Sequence, residues 1–445
     1  MARAGDKTPT RWDSRIVELV RFVEKERGLS FEHPIPVRFL DDAEFVDELN
    51  RDQKITRRDR EDADHYAGQL RAIGLIEGEV DLIEASADLE AAGVTGFYDD
   101  VEQRMVIRGT NLDAVDVRVT VVHELTHALQ DQRFGFRKLD RFVQSSGSDF
   151  ALASLIEGDA THIEERYIFS LPKAERDDYF DDVSADTPAA PDRATPPGVP
   201  PVLDLFSGAP YLFGLRFVAL VAARDGIDGI DRLYADPPRT EEVIVDGAAY
   251  LGQERRVRVQ PPKLGTGEER VGKPDEFGAL SLYVMLASRL DPRRALAAAE
   301  GWGGDSYLAF TRAEQECLRA AFTGDSRRDT TEIRDALDAW AATMPPGAVT
   351  TDHAGNYATF TACESDETRA PSAETLDAAL EVITLRNDLF IEISARSDPT
   401  AARCIADRAA TDAEIAPLFY ETDLSRKQSD LVRSRLRSFD RACNR

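Results

Sequence analysis

Apolar side chains in roughly the first 300 residues recur mainly at the spacing of helices. Residues 14–29 have an apolar side chain every three to four positions, which predicts an amphipathic helix. Pro34 introduces the short strand pattern IPVRFL. Helical spacing then returns in the segments 41–51, 56–74 and 78–92.

A hairpin pattern leads into a helix that is apolar on most sides. Residues 94–109 form the pattern of two strands around an Asp-Asp turn, directly before the stretch 114–133. The VRVTVV run in that stretch is β-branched, and local propensity alone favours a strand there. Burial of several Val and Leu side chains contributes roughly 1.5–3 kcal/mol each, which outweighs a helix penalty of roughly a few tenths of a kcal/mol per residue. We therefore expect a central helix over 114–133 and another over about 147–169.

Prolines interrupt the helical spacing at 181–201. This segment holds six prolines and almost no large apolar side chain, so we expect a loop or a disordered segment. Helical spacing resumes at 207–224, 226–235 and about 276–290. Because helices are expected on both sides, we interpret the segment as an excursion within one domain.

A different pattern follows the stretch GWGGDSY. Strand-like SYLAFT and YATFTAC flank the helical DTTEIRDALDAWAATM, and two further helical segments come after them. We expect a domain boundary near residue 304, which divides a domain of residues 10–303 from an accessory domain of residues 304–445. The predicted fold class is α+β and mostly helical, with a small sheet beside the central helix and a smaller α/β accessory domain.

Charge and hydropathy narrow the classes of partner. Asp and Glu number 82 against 55 Lys and Arg, which gives a net charge of −27. Such a field repels phosphate backbones, so no nucleic-acid partner is expected. No segment reaches the roughly 18–20 apolar residues of a membrane span. The longest candidate, residues 210–223, contains Arg216, and the first residues lack the apolar core of a signal peptide.

All four cysteines lie in the last third of the chain, without the close spacing of a zinc ribbon. An even number confined to one region is typical of a disulfide-stapled module. Paired in sequence order, the expected bonds are Cys317–Cys363 and Cys404–Cys443. Disulfides favour an extracytoplasmic or secreted protein, whereas four free thiols and the missing signal peptide favour a cytoplasmic one.

The central helix contains the pattern His123-Glu124-x-x-His127. Residues four apart share one face of a helix, so both imidazoles can reach one zinc ion at about 2.0–2.1 Å. Glu124 lies about 100° around the helix, where it flanks the metal and can take the proton of the attacking water. We therefore expect one Zn²⁺ per chain.

A catalytic zinc site needs three protein ligands and one open position. Gln130 and Arg133 stand where the H-E-x-x-H-x-x-G-x-x-H pattern requires Gly and His, so that class is excluded. Glu157, in FALASLIEGDATHIEE, lies at the edge of a buried apolar stripe, where an unpaired carboxylate would be costly. It is our candidate for the third ligand.

Neighbours of Glu157 offer alternatives. Gly158 would let two helix backbones approach closely, which a site of this kind requires. His162 and Asp159 are competing third ligands, but Asp159 lies on the other side of the helix from Glu157. Asp159 is therefore also a candidate for fixing a zinc ligand in place without itself contacting the metal.

A glutamate on the helix that follows H-E-x-x-H resembles the arrangement in gluzincins, zinc metallopeptidases whose distant relatives include thermolysin. In order, GFYDD, HELTHALQDQRF, IEGDAT and APYLFGLRFV are similar to stretches of a group of largely uncharacterised bacterial metallopeptidases. The similarity continues through DRLYADPPRTEE and GWGGDSY and covers roughly residues 90–310. In one departure, VDG at 245–247 stands where that group tends to have His-Pro.

The resemblance implies a zincin-like catalytic domain and assigns roles to four residues of this chain. Glu124 would be the general base, and the zinc ligands would be His123, His127 and Glu157.

Gluzincins usually have a donor that stabilises the oxyanion. Tyr211 is the best candidate for this donor, with Tyr98 and His162 as alternatives. The expected function is hydrolysis of a peptide or protein substrate by a zinc-bound water that Glu124 activates. Two alternatives are an inactive binding or structural protein on the same scaffold and a zinc amidase for a small non-peptide amide. The accessory domain would bind a cell-envelope component or a partner protein.

Overall fold

The computed structural model describes residues 9–51, 54–186, 195–353, 355–421 and 423–444. Over these residues the chain has an α+β fold that is mostly helical, as expected. From the N-terminus, the elements are α1 (Val17–Arg27), β1 (Val37–Leu40), α2 (Asp42–Leu49), α3 (Arg57–Ala72), α4 (Leu82–Gly93), β2 (Gly96–Asp99), β3 (Arg104–Arg108), α5 (Val115–Phe134), α6 (Phe136–Leu139), α7 (Ser146–Ser170), α8 (Lys173–Asp186), α9 (Pro201–Asp225) and α10 (Ile227–Ala235). They continue as α11 (Glu242–Val245), α12 (Gly247–Gly252), β4 (Glu268–Asp275), α13 (Ala279–Ala287), α14 (Pro292–Ala299), β5 (Trp302–Arg312), β6 (Gln315–Gly324), α15 (Arg327–Ala341), β7 (Val349–Asp352), β8 (Ala358–Cys363), α16 (Ala373–Ser394), α17 (Pro399–Thr411) and α18 (Arg426–Cys443).

A sheet of three strands lies against helix α5. Its order is β1-β3-β2, with β1 parallel and β2 antiparallel to β3, so β2 forms one edge. The hairpin of β2 and β3 is the one predicted at 94–109. Met105 and Ile107 of the central strand pack in one core with Val122 and Leu125 of α5.

Helix α5 forms despite its β-branched run. Val119, Val121 and Val122 are at most 4% exposed, so their burial outweighs their weak helix propensity. The helix ends before Gly135, whose φ of +76° is a conformation that glycine adopts without strain. The bounds of α5 agree with the predicted helix 114–133 to within one residue.

Helices α7 and α9 cross at a point where neither has a side chain. A Cβ atom on Gly158 would collide with the carbonyl group of Gly214, and a Cβ atom on Gly214 would collide with the carbonyl oxygen of Ser154. The two backbones therefore approach more closely than any other residue pair would allow. The close approach expected at Gly158 is thus made to α9.

A second, antiparallel sheet has the order β4-β5-β6-β8-β7. Strand β5 begins at Trp302, so the domain boundary predicted near 304 falls inside it. The main hydrophobic core contains residues from both sides of that position, including Leu282, Phe322 and Trp340. Position 304 therefore lies within a continuous core rather than in a linker.

The predicted proline-rich loop is shorter than 181–201. Helix α8 extends to Asp186, and α9 begins at Pro201 instead of near residue 207. Proline suits the first turn of a helix because its missing N–H has no partner within the helix there. Residues 187–194 of the predicted loop lie outside the described residues.

The four cysteines form the two disulfides predicted from their order. Cys317 and Cys363 face each other on the neighbouring strands β6 and β8. Cys404 and Cys443 join α17 to the end of α18. Two such bonds are typical of a protein that folds in an oxidising environment.

By length and composition, α9 is the one described helix that could cross a membrane. In the fold, 44% of its most apolar window is buried, and Phe213 and Phe217 lie in the main core. Arg216 of the same helix forms an ion pair with Asp388. Helix α9 therefore has the position of a core helix, and the described residues contain no clear membrane span.

Candidate metal centre

Helices α5 and α7 bring together the three residues predicted as ligands. The Nε2 atoms of His123 and His127 lie 3.0 Å apart. The Oε2 atom of Glu157 lies 3.3 Å from the first of these nitrogens and 3.2 Å from the second. The four-residue spacing places both imidazoles on one face of α5, and α7 packs against that helix.

The separations of these three atoms fit a zinc ion. Zinc binds imidazole nitrogen and carboxylate oxygen at about 2.0–2.2 Å in a tetrahedron, which places neighbouring ligand atoms about 3.3–3.6 Å apart. The observed separations of 3.0–3.3 Å lie at or just below this range. Three ligands leave the fourth position open, as in catalytic zinc sites.

Hydrogen bonds behind His127 fix its tautomer. The Nε2 atom of Gln130 donates to the Ile156 carbonyl at 3.0 Å and to the Asp159 carboxylate at 3.1 Å. The Oε1 atom of Gln130 therefore faces the imidazole and accepts a hydrogen bond from Nδ1 at 3.0 Å. With the proton on Nδ1, the Nε2 atom of His127 presents a lone pair to Glu157.

Glu164 fixes the same tautomer in His123. Its Oε2 atom lies 2.9 Å from Nδ1 of His123, and an ionised carboxylate only accepts, so Nδ1 donates. When both imidazoles are neutral, their Nε2 atoms and the Glu157 oxygen are hydrogen-bond acceptors that face one another. Three acceptors so close repel each other unless a positive charge lies among them, so the donor set fits Zn²⁺.

The pKa values of these groups reflect the same demand for positive charge. Burial lowers the pKa of His123, but the Glu157 and Glu164 carboxylates raise it further, to well above the usual value. Burial also lowers the pKa of His127, and Glu157 raises it above the usual value. Burial raises the pKa of Glu157, but the two imidazoles lower it to below its usual range. The cluster therefore holds an ionised carboxylate and attracts a cation.

Asp159 contacts Gln130 and is not one of the three residues that meet in the cluster. Its fully buried carboxylate accepts hydrogen bonds from Gln130, Tyr234 and Arg27 at 3.0–3.1 Å. Arg27 is also fully buried and pairs with Asp231 at 2.7 Å. This network sets the orientation of the Gln130 amide, which in turn orients His127.

Glu124 lies beside the two histidines and is only 5% exposed. It accepts a hydrogen bond from the backbone N–H of Tyr98 in the edge strand β2. Gly96 permits this approach, because a Cβ atom there would meet Thr120 at 2.6 Å and the Glu124 side chain at 3.1 Å. Burial raises the pKa of Glu124 by more than the two histidines lower it. A carboxylate with a raised pKa suits a general base.

Tyr211 of α9 lies over the same cluster. Its ring stacks on that of His123, with centroids 6.1 Å apart and planes 27° apart, and its hydroxyl forms a hydrogen bond with Glu157. Burial, Glu157 and Glu124 raise the pKa of Tyr211 well above the usual value, so the hydroxyl keeps its proton. The crossing of α7 and α9 sets this position, since Tyr211 lies about one helical turn before Gly214, the glycine of α9 at the crossing.

The other two candidate donors have different surroundings. The hydroxyl of Tyr98 donates to Asp131 at 2.9 Å. His162 lines a separate groove of about 450 Å³, together with Phe22 and Phe169. Tyr211 is therefore the one of the three whose polar group contacts a predicted ligand.

Sequence reasoning missed two residues that orient the histidines. In the sequence, Gln130 only excludes a ligand pattern, and Glu164 is not among the predicted site residues. Gln130 follows His127 by three positions and Glu164 follows Glu157 by seven, so each lies on the same helical face as a ligand. That spacing is the signal by which both could have been found.

Comparisons with known proteins reach another part of the chain. A family model described as a domain of unknown function (DUF8575) matches residues 269–379. No curated protein and no solved structure matches the chain. The matched range runs from β4 to the start of α16, so it concerns the five-stranded sheet and leaves out the helices of the metal centre.

Proposed function

We propose that the protein is a zinc-dependent peptidase whose catalytic part has a zincin-like fold. The observation that carries the proposal is the meeting of two imidazole Nε2 atoms and a carboxylate oxygen within 3.3 Å, with both imidazole protons held on Nδ1. His123, His127 and Glu157 would hold the ion. Zinc bound there would polarise a substrate carbonyl group and lower the pKa of a water molecule.

Glu124 moves the proton in this reaction. It accepts a proton from the attacking water while the water oxygen bonds to the carbonyl carbon of the substrate. It then delivers that proton to the leaving amine as the C–N bond breaks. The N–H of Tyr98 holds the carboxylate in place, and burial keeps its pKa above the usual value.

Tyr211 donates a hydrogen bond to the oxyanion that develops on the substrate. Its side chain is 45% exposed, so a substrate can reach it, and its hydroxyl keeps the proton that it must donate. The edge strand β2 lies beside the site, where an extended peptide could pair with it. This arrangement supports a peptide or protein as the substrate.

The disulfides support a place outside the cytoplasm for this activity. A peptidase there would meet secreted or cell-envelope proteins. The C-terminal helices α17 and α18 are a candidate surface for a cell-envelope component or a partner protein.

Metal content and peptide cleavage, measured together, test the proposal. The wild type is expected to hold one zinc per chain and to cleave members of a peptide library, and Glu157→Gln to lose most of the zinc. Glu124→Gln is expected to keep zinc and lose cleavage, which also controls for folding. Tyr211→Phe is expected to keep zinc and to lower kcat about 10²–10³-fold, with little change in KM.

Each departure from these results would have a specific meaning. Full zinc content in Glu157→Gln would assign the third ligand to another residue, and full activity in Glu124→Gln would refute the general base. A wild type without zinc and without cleavage would reject the peptidase. Cleavage of small acylated amides but of no peptide would change the substrate class.

A further inference from the structure

Two stretches that resemble the bacterial metallopeptidases, PPRTEE and GWGGD, have no part in the proposed reaction. In the fold they help to build a second cluster of acidic side chains. Glu242 begins α11, Glu254 follows α12 and Asp325 follows β6. One carboxylate oxygen from each of the three lies within 4.8 Å of the other two.

Glu242 is a buried carboxylate. It is 3% exposed, and its buried Oε1 atom accepts no hydrogen bond from any residue that the structure describes. Two other buried acids, Glu241 and Asp305, differ in this respect. Glu241 accepts a hydrogen bond from the N–H of Leu280, and Asp305 accepts one from the indole of Trp302. An unpaired charge at Glu242 would be costly, so the position calls for a counter-charge.

The other two members of the cluster have the same need. The Oε2 atom of Glu254 is buried and has no hydrogen-bond partner among the described residues, and the Glu254 carboxylate raises the pKa of Asp325. Arg403 lies 3.5 Å from Glu254, but it pairs more closely with Asp246, at 3.0 Å. The nearest guanidinium is therefore shared between Asp246 and Glu254.

The pKa values support this picture. Burial, and next Asp325 and Glu254, raise the pKa of Glu242 to about 9. Burial and then Glu254 raise the pKa of Asp325 to about 6. A bound cation would remove the repulsion that raises both.

Glycines of the GWGGD stretch let two of the three acidic segments approach strand β5. A Cβ atom on Gly303 would meet the backbone nitrogen of Asp325 at 2.8 Å and its Oδ1 atom at 3.0 Å. A Cβ atom on Gly304 would collide with the carbonyl oxygen of Val257, three residues after Glu254. The two glycines thus allow the segments that carry Glu254 and Asp325 to lie close to strand β5.

The space beside Glu242 limits the size of a ligand. Glu242 lines a cavity of about 10 Å³ together with Asp246 and Glu300. That volume has room for about one water molecule, so it excludes an organic ligand on this side. Asp325 is exposed, which leaves the opposite side open to water.

We propose that Glu242, Glu254 and Asp325 form a binding site for a divalent cation, and that the cation is Ca²⁺. All three donors are carboxylate oxygens, which hard cations prefer and which distinguish the cluster from the imidazole-containing zinc centre. Calcium accepts six to eight oxygen ligands in flexible geometry, so water and carbonyl oxygens can complete the set. The ion would join α11, the segment after α12 and the end of β6 into one unit.

Calcium titration of the full chain tests the site. The protein is treated with a chelator, reloaded with one equivalent of zinc, and titrated with CaCl₂ at pH 7 by calorimetry and by thermal denaturation. The wild type is expected to bind one calcium, with a Tm that rises with calcium concentration. Glu242→Gln and Asp325→Asn are expected to bind at least about 10–100-fold more weakly, the range known for residues that only orient a ligand.

The variants separate calcium binding from simple charge repulsion. Glu269→Gln removes one negative charge from an exposed position of β4 and should keep the calcium response. Without calcium, Glu242→Gln should have a Tm equal to or above that of the wild type, because it removes a buried acid. Because Asp325 is exposed, Asp325→Asn keeps the test valid if the other variant fails to fold.

Three outcomes would overturn the proposal. The first is a wild type with no binding heat and no Tm shift at millimolar calcium. The second is an equal calcium response in the wild type and in both cluster variants, which would place the ion elsewhere. The third is a Tm that rises when further zinc is added but not when calcium is added.

Discussion

The tautomer of His127 depends on a series of side chains behind it. Arg27 and Tyr234 hold Asp159, which accepts a hydrogen bond from Gln130. The amide oxygen of Gln130 then accepts the Nδ1 proton of His127. A metal-binding imidazole needs its free lone pair on the other nitrogen. These buried residues would therefore orient a proposed ligand that three of them do not touch.

Gln130→Met is expected to weaken zinc binding about 10–100-fold. Methionine is similar in length to glutamine but has no amide oxygen to accept the Nδ1 proton of His127. Competition with a chromogenic chelator measures the zinc affinity. Gln132→Met is the matched control, since Gln132 lies on the same helix but bonds to the backbone of Glu32 and His33. Equal losses of affinity in both variants would mean that Gln130 acts only through the stability of α5.

At the residue scale, the sequence predicts ligands better than the groups that orient them. The spacing of His123 and His127 follows from helix geometry alone, so both are visible in the sequence. Glu157 becomes a candidate ligand because a carboxylate at the edge of an apolar stripe needs a partner. The contacts of Gln130 and Glu164 depend on how α7 lies across α5, which the pattern of either helix does not contain.

At the element scale, the crossing of α7 and α9 connects the fold to the site. Glu157 precedes Gly158 of α7 by one residue, and Tyr211 precedes Gly214 of α9 by three. At both glycines an added Cβ atom would meet backbone atoms of the other helix. Backbone atoms cannot move aside as a flexible side chain can, so no larger residue fits at either position. The crossing therefore fixes the position of a ligand relative to the proposed oxyanion donor.

Gly214→Ala is expected to lower the free energy of unfolding by about 1–3 kcal/mol or more, because the new methyl group would collide with the Ser154 carbonyl. Zinc content should fall as well, since Glu157 is displaced with α7. Gly208→Ala is the control on the same helix, where a Cβ atom meets nothing within 4 Å. It should gain up to about 1 kcal/mol from helix propensity. Chemical denaturation measures both, and equal stability of the two variants would contradict the tight crossing.

Helices were easier to predict than the second sheet. Strand β4 has the sequence EERVGKPD, without alternating apolar residues, and it is held by pairing with β5. The change of pattern after GWGGDSY suggested a boundary near 304, but Gly303 and Gly304 of that stretch pack closely against Asp325 and Val257. Long-range pairing and glycine packing both depend on partners that are distant in sequence, so a local pattern does not predict them.

At the scale of the whole molecule, buried acids make stability depend on pH. Glu276 is 2% exposed, accepts a hydrogen bond from Ser145 beside α7, and pairs with Arg256. Burial is the largest cause that raises the pKa of Glu276, to about 7 from an ordinary value of 4.5. The folded state thus binds this proton more tightly than the unfolded state does. Its contribution is fully present below pH 4.5 and is lost as the pH rises to about 7.

Glu276→Gln is neutral at every pH, so it should remove this pH-dependent contribution. The Tm of the variant relative to the wild type is expected to rise between pH 4.5 and 7, over which the wild type loses up to about 3 kcal/mol of unfolding free energy. Calorimetric melting at several pH values gives both profiles. If the Tm of the variant and that of the wild type change in parallel with pH, Glu276 has the same pKa in the folded and the unfolded state.

The two disulfides should differ in what they stabilise, although their loops are similar. They close loops of 46 and 39 residues, and chain entropy predicts about 4 kcal/mol for each. Cys317–Cys363 joins two strands of the second sheet and is nearly fully buried, so replacing both residues by alanine should lower the Tm of the whole molecule. Cys404–Cys443 instead holds α18, whose apolar side chains are only partly buried against the C-terminal core. Its replacement by alanine should release that helix while the main transition stays nearly unchanged, because α18 contributes no fully buried side chain to the core. Hydrogen exchange measures the release as faster exchange confined to residues 426–443, and an equal fall in Tm for both double variants would show that α18 unfolds together with the core.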